Sequence, residues 1–224
     1  MIAAIAWPDG VIFDLDGLVI DSERSYFAAW QMAAQKMGYE LSDSFCQSLS
    51  GLSWPLVEQK IQSRLGDDFD GTEFARLSGH FWREHVQEKG IGVKEGFFEL
   101  LEIIRMRQIP YSLATNSSSQ NARECLVWAG LENIFPCLVG KDQVKRGKPA
   151  PDVFIKAAEL IQLSLEKCMI LEDSLTGVMA ASQTGAKTVF IPSVQPPDDD
   201  AVQLADYRFA SLKDLADALI AGTN

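Results

Sequence analysis

Five short apolar runs constrain the fold of this chain more than any other feature of its sequence. Each run is rich in β-forming residues without alternating apolar and polar side chains, which indicates strands buried on both faces, as in a parallel sheet. The runs are VIFDL (11–15), YSLAT (111–115), CLVG (137–140), CMIL (168–171) and TVFI (188–191). Helical spacing occupies the segments between the later runs: FFELLEIIRMR (97–107), NARECLVWAG (121–130), PDVFIKAAELIQ (151–162) and SLTGVMAASQTG (174–185). The alternation predicts an α/β fold with a parallel sheet.

The stretch between about residues 20 and 90 breaks this rhythm. It contains three helical patterns and no convincing strand, which is too much chain for a single crossover between strands. The helical patterns are ERSYFAAWQMAAQKMG (23–38), SWPLVEQKIQSRLG (53–66) and GTEFARLSGHFWREHVQEKG (71–90). We therefore expect an α-helical cap domain at 20–89, inserted into a core formed by 1–19 and 90–224.

Composition and charge limit the environment and the partners. With 47% hydrophobic residues among 224, the chain can bury a full core. A net charge of −11 repels polyanions, so nucleic acid is not expected as a partner, and a small anionic substrate would need a local positive site. The opening MIAAIAWPDG has no basic region, and no apolar run approaches the length of a membrane helix. We expect a cytoplasmic protein with no membrane partner, and a monomer.

Acidic residues stand at the ends of two of the predicted strands. Asp14 and Asp16 end the first run, and Glu172 and Asp173 directly follow CMIL. Ligands of an open parallel sheet bind outside the carboxyl ends of its strands, where these carboxylates would meet and repel one another. A divalent cation or a distant lysine would relieve that repulsion, and an oxygen-rich site suits Mg²⁺.

Two further strand ends carry groups that suit an anion. Thr115 and Asn116 end the second run just before a helix, whose free N–H groups favour negative charge. Lys148 lies in KRGKPAPD (145–152), where two prolines stiffen the chain as a helix begins. Carboxylates with a cation, an anion cradle and a fixed lysine are the parts needed for phosphoryl transfer.

These motifs together resemble a known family. DLDG (14–17), ATN (114–116), GKPAPD (147–152) and LEDS (171–174) follow one another in the order and setting of the four motifs of the haloacid dehalogenase superfamily of phosphatases and phosphomutases. The helical insertion after the first motif is similar to the cap of its β-phosphoglucomutase-like branch. The resemblance covers residues 11 to about 192 and implies a Rossmann-like core.

The resemblance also implies a role for each matching residue. Asp14 would be the nucleophile that forms an aspartyl-phosphate, and Asp16 would be the general acid and base. Mg²⁺ would be held by Asp14, the backbone carbonyl of Asp16 and Asp173, with Glu172 contributing directly or through water. The implied phosphate-binding residues are Thr115, Asn116 and Lys148.

Three functions remain open: a Mg²⁺-dependent phosphatase of a small phosphorylated metabolite, a β-phosphoglucomutase, and a non-catalytic phosphate- or partner-binding module. The cap stretch SLSGLSWPL (48–56) resembles the family's substrate loop, which makes Gly51, Leu52, Ser53 and Trp54 candidate substrate residues. Tyr26 stands where the mutases carry a histidine, and Trp54 stands where they carry an arginine that holds a second phosphate. The motif residues needed for catalysis are all present. We therefore predict a phosphatase, acting on a sugar phosphate.

Overall fold

The computed structural model describes residues 5–50, 52, 54–66 and 68–222 of the chain, which forms two compact units. The larger unit combines residues up to Ile20 with those from Val93 onward, and the smaller unit extends from Asp21 to Gly92. The chain thus passes into the smaller unit after Ile20 and returns to the larger unit after Gly92. The sequence-based boundaries, after residues 19 and 89, differ from these positions by one and three residues.

Eight strands occur among the described residues. In chain order they are β1 (Gly10–Phe13), β2 (Ile20–Asp21), β3 (Gly92–Val93), β4 (Tyr111–Ala114), β5 (Leu138–Val139), β6 (Cys168–Glu172), β7 (Lys187–Phe190) and β8 (Tyr207–Arg208). Six of them form a sheet in the order β5-β4-β1-β6-β7-β8, in which every neighbouring pair is parallel. Strands β2 and β3, where the chain passes from one unit to the other, pair with each other in a separate two-stranded sheet. The predicted parallel α/β fold is confirmed.

The register of the sheet brings its strand ends to one edge. Phe13, the last residue of the central strand β1, lies opposite Leu113 of β4 and Leu171 of β6. All residues of β1, β4 and β6 are buried, in agreement with their continuous apolar sequences. The polar residues that follow these strands therefore emerge side by side.

Six helices of the larger unit connect or flank the strands. Numbered along the chain after the helices of the smaller unit, they are α5 (Phe97–Met106), α6 (Ser119–Trp128), α7 (Asp152–Leu160), α8 (Leu175–Ser182), α9 (Asp199–Leu204) and α10 (Leu212–Ala221). Three of them begin at serine caps: the hydroxyls of Ser118, Ser174 and Ser211 accept from the N–H groups of Asn121, Gly177 and Asp214 at the starts of α6, α8 and α10. Helix α9 begins inside PPDDDA (196–201), where the Asp198 carboxylate caps it by accepting from the N–H groups of Asp200 and Ala201.

Four helices occur among the described residues of the smaller unit: α1 (Ser22–Lys36), α2 (Asp43–Gln47), α3 (Trp54–Leu65) and α4 (Gly71–Lys89). Helices α1 and α4 pack against each other. Trp30 and Phe74 lie in the hydrophobic core of this unit, and the indole N–H of Trp82 donates to the Ser25 hydroxyl at 2.9 Å. None of the described helices combines the length and the apolar character needed to cross a membrane.

Candidate active site

The functional site lies at the carboxyl edge of the larger unit's sheet. The Asp14 N–H continues the sheet past β1 by donating to the Leu171 carbonyl at 3.0 Å, and the Thr115 N–H does the same past β4 by donating to the Val139 carbonyl at 3.0 Å. Glu172 is the last residue of β6. These main-chain bonds fix where each polar side chain leaves the sheet, so the acidic and hydroxyl groups predicted from the sequence meet at one edge.

Lys148 joins the two acidic strand ends. Its ammonium donates to the Asp14 carboxylate, to the Glu172 carboxylate at 2.5 Å and to the Ala114 carbonyl at 2.9 Å. The group also lies 4.8 Å from the centroid of the Phe154 ring. Only 8% of Lys148 is exposed and Glu172 is fully buried. Because a buried charge must be paired and hydrogen-bonded to be tolerated, these contacts hold the lysine in one position.

Burial and neighbouring charges shift the pKa values of Asp14 and Lys148. Burial raises the pKa of Asp14 well above its ordinary value; Lys148 acts to lower it, while Glu172 and Asp16 raise it further. Burial alone would lower the pKa of Lys148, but Asp14 and Glu172 outweigh that effect and the lysine pKa is raised. One ammonium thus leaves the surrounding carboxylates incompletely neutralised, and further positive charge would be favourable there.

Three carboxylates are close enough to share a cation. Asp14, Glu172 and Asp173 can each offer an oxygen, and these oxygens lie within 4.8 Å of one another. Two glycines make room for them: a Cβ on Gly17, whose φ is +88°, would lie 2.0 Å from an Asp173 carboxylate oxygen, and one on Gly177 would lie 1.9 Å from the Glu172 carboxyl carbon. An all-oxygen donor set of this charge fits a hard cation such as Mg²⁺.

Glu172 is held on both carboxylate oxygens. One oxygen accepts from Lys148, and the other accepts from the Asp173 N–H at 3.1 Å and from the Ser174 hydroxyl at 3.2 Å. Ser174 and Gly177 were not among the predicted site residues, although Ser174 ends the LEDS segment and Gly177 lies in the helix start that follows it. These contacts orient Glu172, and they are compatible with ligation either directly or through water.

Asp16 lies against the end of β4. Its Oδ2 atom accepts from the Ser117 hydroxyl at 2.9 Å and from the Thr115 hydroxyl at 3.2 Å, and the Thr115 hydroxyl in turn accepts from the Ser117 N–H at 3.0 Å. Ser117 was not among the predicted site residues. The signal for it was its place in TNSS (115–118), the polar run that directly follows strand β4.

Asn116 uses its side chain on the backbone of Lys148. The amide donates to the Lys148 carbonyl at 3.1 Å, and its oxygen accepts from the Lys148 N–H at 2.8 Å. A Cβ on Gly147 would lie 2.5 Å from that oxygen, so the close approach requires glycine. The Asn116 side chain therefore contacts the main chain of Lys148, which the sequence did not indicate.

The candidate substrate residues of the smaller unit differ in what the structure describes. Gly51 and Ser53 lie outside the described residues. Leu52 is half-buried and packs against the core of the unit. Trp54 is 39% exposed and stacks on Phe74, with ring centroids 6.5 Å apart and planes at 3°.

Residues 11–191 match the family of haloacid dehalogenase-like hydrolases. The chain belongs to this family. Its relatives include a phosphorylated carbohydrates phosphatase of Thermotoga maritima, 28% identical over 186 residues that cover 81% of this chain and 84% of that protein. A beta-phosphoglucomutase of Bacillus subtilis is 28% identical over 198 residues, covering 83% and 84%.

A solved structure extends the comparison to the whole chain of this haloacid dehalogenase-like hydrolase. The crystal structure of a HAD family hydrolase from Deinococcus radiodurans, with bound phosphate and sodium, superimposes with a TM-score of 0.79 at 25% identity and covers 98% of both chains. The family and the fold predicted from the sequence are confirmed, and so is the enzyme class of phosphomonoester hydrolase.

Proposed function

We propose that this protein is a Mg²⁺-dependent phosphatase that hydrolyses a small phosphorylated metabolite through an aspartyl-phosphate on Asp14. The observation that supports it most is the cluster of Asp14, Glu172 and Asp173, two of which, Asp14 and Glu172, are bridged by the buried ammonium of Lys148. Such an arrangement is costly for a folded protein, and clustered buried ionisable groups of perturbed pKa are typical of catalytic sites. The phosphatase relatives point to a sugar phosphate as the first substrate class to test.

Two protein groups carry the chemical steps. A carboxylate oxygen of Asp14 attacks phosphorus as the bond to the leaving oxygen breaks, and Asp16 gives a proton to that oxygen. A water molecule then attacks phosphorus, Asp16 takes a proton from it, and the bond between Asp14 and phosphorus breaks to release inorganic phosphate. The two steps regenerate both carboxyl groups.

The remaining groups bind and orient. Lys148 restrains the Asp14 carboxylate and offers positive charge to the phosphate, and the Thr115 hydroxyl is a further donor to it. Asp14, Glu172 and Asp173, with the backbone carbonyl of Asp16, would hold Mg²⁺, which would supply positive charge against the repulsion between carboxylate and phosphate. We propose that Asn116 contributes to phosphate binding by holding the main chain of Lys148.

The alternative is a β-phosphoglucomutase, which passes the phosphoryl group to a second sugar hydroxyl. The relative from Bacillus subtilis, a beta-phosphoglucomutase, supports this alternative. Tyr26, which stands at the position of the mutases' histidine, stacks with Trp82 and with Trp30, at 5.5 Å and 6.3 Å between ring centroids. An aromatic ring engaged in this way is suited to packing, so the phosphatase is the better supported function.

Phosphate release from a panel of phosphorylated metabolites, with Mg²⁺ and with EDTA, tests the proposal. We expect release from one or a few sugar phosphates that requires Mg²⁺ and stops with EDTA. β-Glucose 1-phosphate, assayed in parallel for glucose 6-phosphate, separates the two enzymes. Glucose 6-phosphate without free phosphate would establish the mutase, and absence of both products would favour a phosphate-binding module.

A further inference from the structure

Asp16 and the end of β4 share a small network of hydroxyl groups. Oδ2 of Asp16 accepts a hydrogen bond from Ser117 at 2.9 Å and one from Thr115 at 3.2 Å. The shorter bond comes from Ser117. Thr115 is buried with 1% of its surface exposed, whereas Ser117 and Asp16 are half-buried. The site thus commits two hydroxyl donors to one carboxylate oxygen.

The Thr115 and Ser117 hydroxyls cannot both keep their bonds to Asp16 if Thr115 also binds phosphate. A hydroxyl has a single proton to donate, so Thr115 cannot donate to Asp16 and to a phosphate oxygen at the same time. If a phosphate oxygen accepts the hydrogen bond of the Thr115 hydroxyl, the Ser117 hydroxyl still donates to Oδ2. That oxygen accepts hydrogen bonds, so the proton that Asp16 transfers belongs on its other oxygen, Oδ1.

Helix capping does not account for the Ser117 hydroxyl. The cap of α6 is the next residue, Ser118, whose hydroxyl accepts from the Asn121 N–H at 3.2 Å. The Ser117 carbonyl accepts from the Lys141 N–H at 3.0 Å, so the main chain of this residue is fixed independently of its hydroxyl. Its side chain is held in place to contact Asp16.

We infer that Ser117 is a positioning residue for proton transfer: its hydroxyl keeps Oδ2 of Asp16 in place while substrate occupies the Thr115 hydroxyl. The inference rests on the proposed phosphatase function. If Ser117 positions Asp16, removing its hydroxyl should slow hydrolysis most for substrates whose leaving group needs a proton. A residue that only binds phosphate would not show this dependence on the leaving group. Departure of an alkoxide requires protonation, whereas p-nitrophenolate leaves without it.

The test compares Ser117→Ala with the wild-type enzyme on two substrates, p-nitrophenyl phosphate and the alkyl phosphate that the wild type hydrolyses fastest. We expect kcat/KM for the alkyl phosphate to fall about tenfold and that for p-nitrophenyl phosphate to change less than about twofold. Inhibition by inorganic phosphate should stay within about twofold of the wild type. Ser117→Thr, which keeps the hydroxyl, should restore most of the loss.

Ser118→Ala is the matched control, because it removes the neighbouring hydroxyl from a capping position and should affect both substrates equally. If Ser117→Ala does not fold, Ser117→Cys replaces the hydroxyl by a weak donor of similar size and should give the same selective loss. Equal losses of kcat/KM on both substrates would overturn the inference, and so would a loss matched by weaker inhibition by phosphate. Either result would leave the proposed phosphatase function standing. A wild-type enzyme that hydrolyses neither substrate would instead contradict the proposed function, and the inference with it.

Discussion

The interiors of the two units differ in what they bury. Among the described residues, the larger unit contains every buried charged side chain: Asp14, Lys148, Glu172 and Asp173. The buried polar side chains of the smaller unit are the three serines Ser22, Ser25 and Ser78. Its core is otherwise apolar and aromatic.

This difference indicates which unit contains buried groups that lower the stability of the fold. A helical unit with an apolar core gains free energy from nearly every buried side chain. The strand ends of the larger unit bury carboxylates beside a single ammonium, and removing such ions from water costs several kcal/mol each unless they are well paired. Substitutions in the charged cluster should therefore affect catalysis first, and substitutions in the smaller unit should affect stability and selectivity first.

Asp14→Asn should have the largest effect. The amide keeps the shape of the carboxylate but cannot act as the nucleophile, so phosphate release should fall by about 10⁴-fold or more. Circular dichroism should show an unchanged fold. Asp9→Asn, an exposed change just before the same strand, should retain wild-type activity; substantial turnover by Asp14→Asn would contradict the mechanism.

Lys148→Ala should impair both activity and stability. It leaves Asp14 and Glu172 buried without their shared ammonium, so we expect the free energy of unfolding in EDTA to fall by about 3–5 kcal/mol. Turnover with Mg²⁺ should fall at least about a hundredfold. Urea unfolding and phosphate release measure the two effects, with the exposed Lys145→Ala as control. Wild-type stability of Lys148→Ala in EDTA would show that the buried charges are less costly than the comparison assumes.

Thiol labelling can separate the stabilities of the two units. Burial raises the pKa of both the Cys46 thiol in the smaller unit and the Cys168 thiol in the larger unit to about 11, so each should react only after local opening. Mg²⁺ at ten times its Kd should slow labelling of Cys168 about tenfold, because binding stabilises the folded larger unit. Cys46 should be unaffected.

Iodoacetamide labelling in Mg²⁺ and in EDTA, followed by peptide mass spectrometry, measures both thiols at once. Equal slowing of Cys46 and Cys168 would show that the two units open together. No slowing at either thiol would indicate that the carboxylate cluster does not bind the ion under those conditions.

Trp54→Ala should have the smallest effect. Losing the stack on Phe74 should cost the smaller unit about 0.5–1.5 kcal/mol beyond the buried area. As a candidate substrate residue, Trp54 should also change the relative kcat/KM among sugar phosphates about two- to tenfold, without altering inhibition by inorganic phosphate. Leu56→Ala, an exposed change in the same helix, is the control, and an unchanged order of substrates would remove Trp54 from the substrate residues.

Much of the architecture could be predicted because its signals are local. The continuous apolar runs marked the buried strands, and their polar ends marked the site, since both patterns occupy only a few consecutive residues. Helix α10 also has a local signal, because Leu212, Leu215, Ala216 and Leu219 repeat at helical spacing and are all buried. Strand β8 has only two residues, too few for any periodic pattern.

The sequence by itself determined which chemical groups the site contains, because Asp14, Asp16, Thr115 and Glu172 directly follow or end their strands. Only the tertiary structure decided which of these groups are bonded to one another. Lys148 reaches Asp14 across 134 residues of chain, and Ser117 reaches Asp16 across 101. Contacts of such separation leave no periodic trace in the sequence, since they depend on the order and register in which the parallel strands pair.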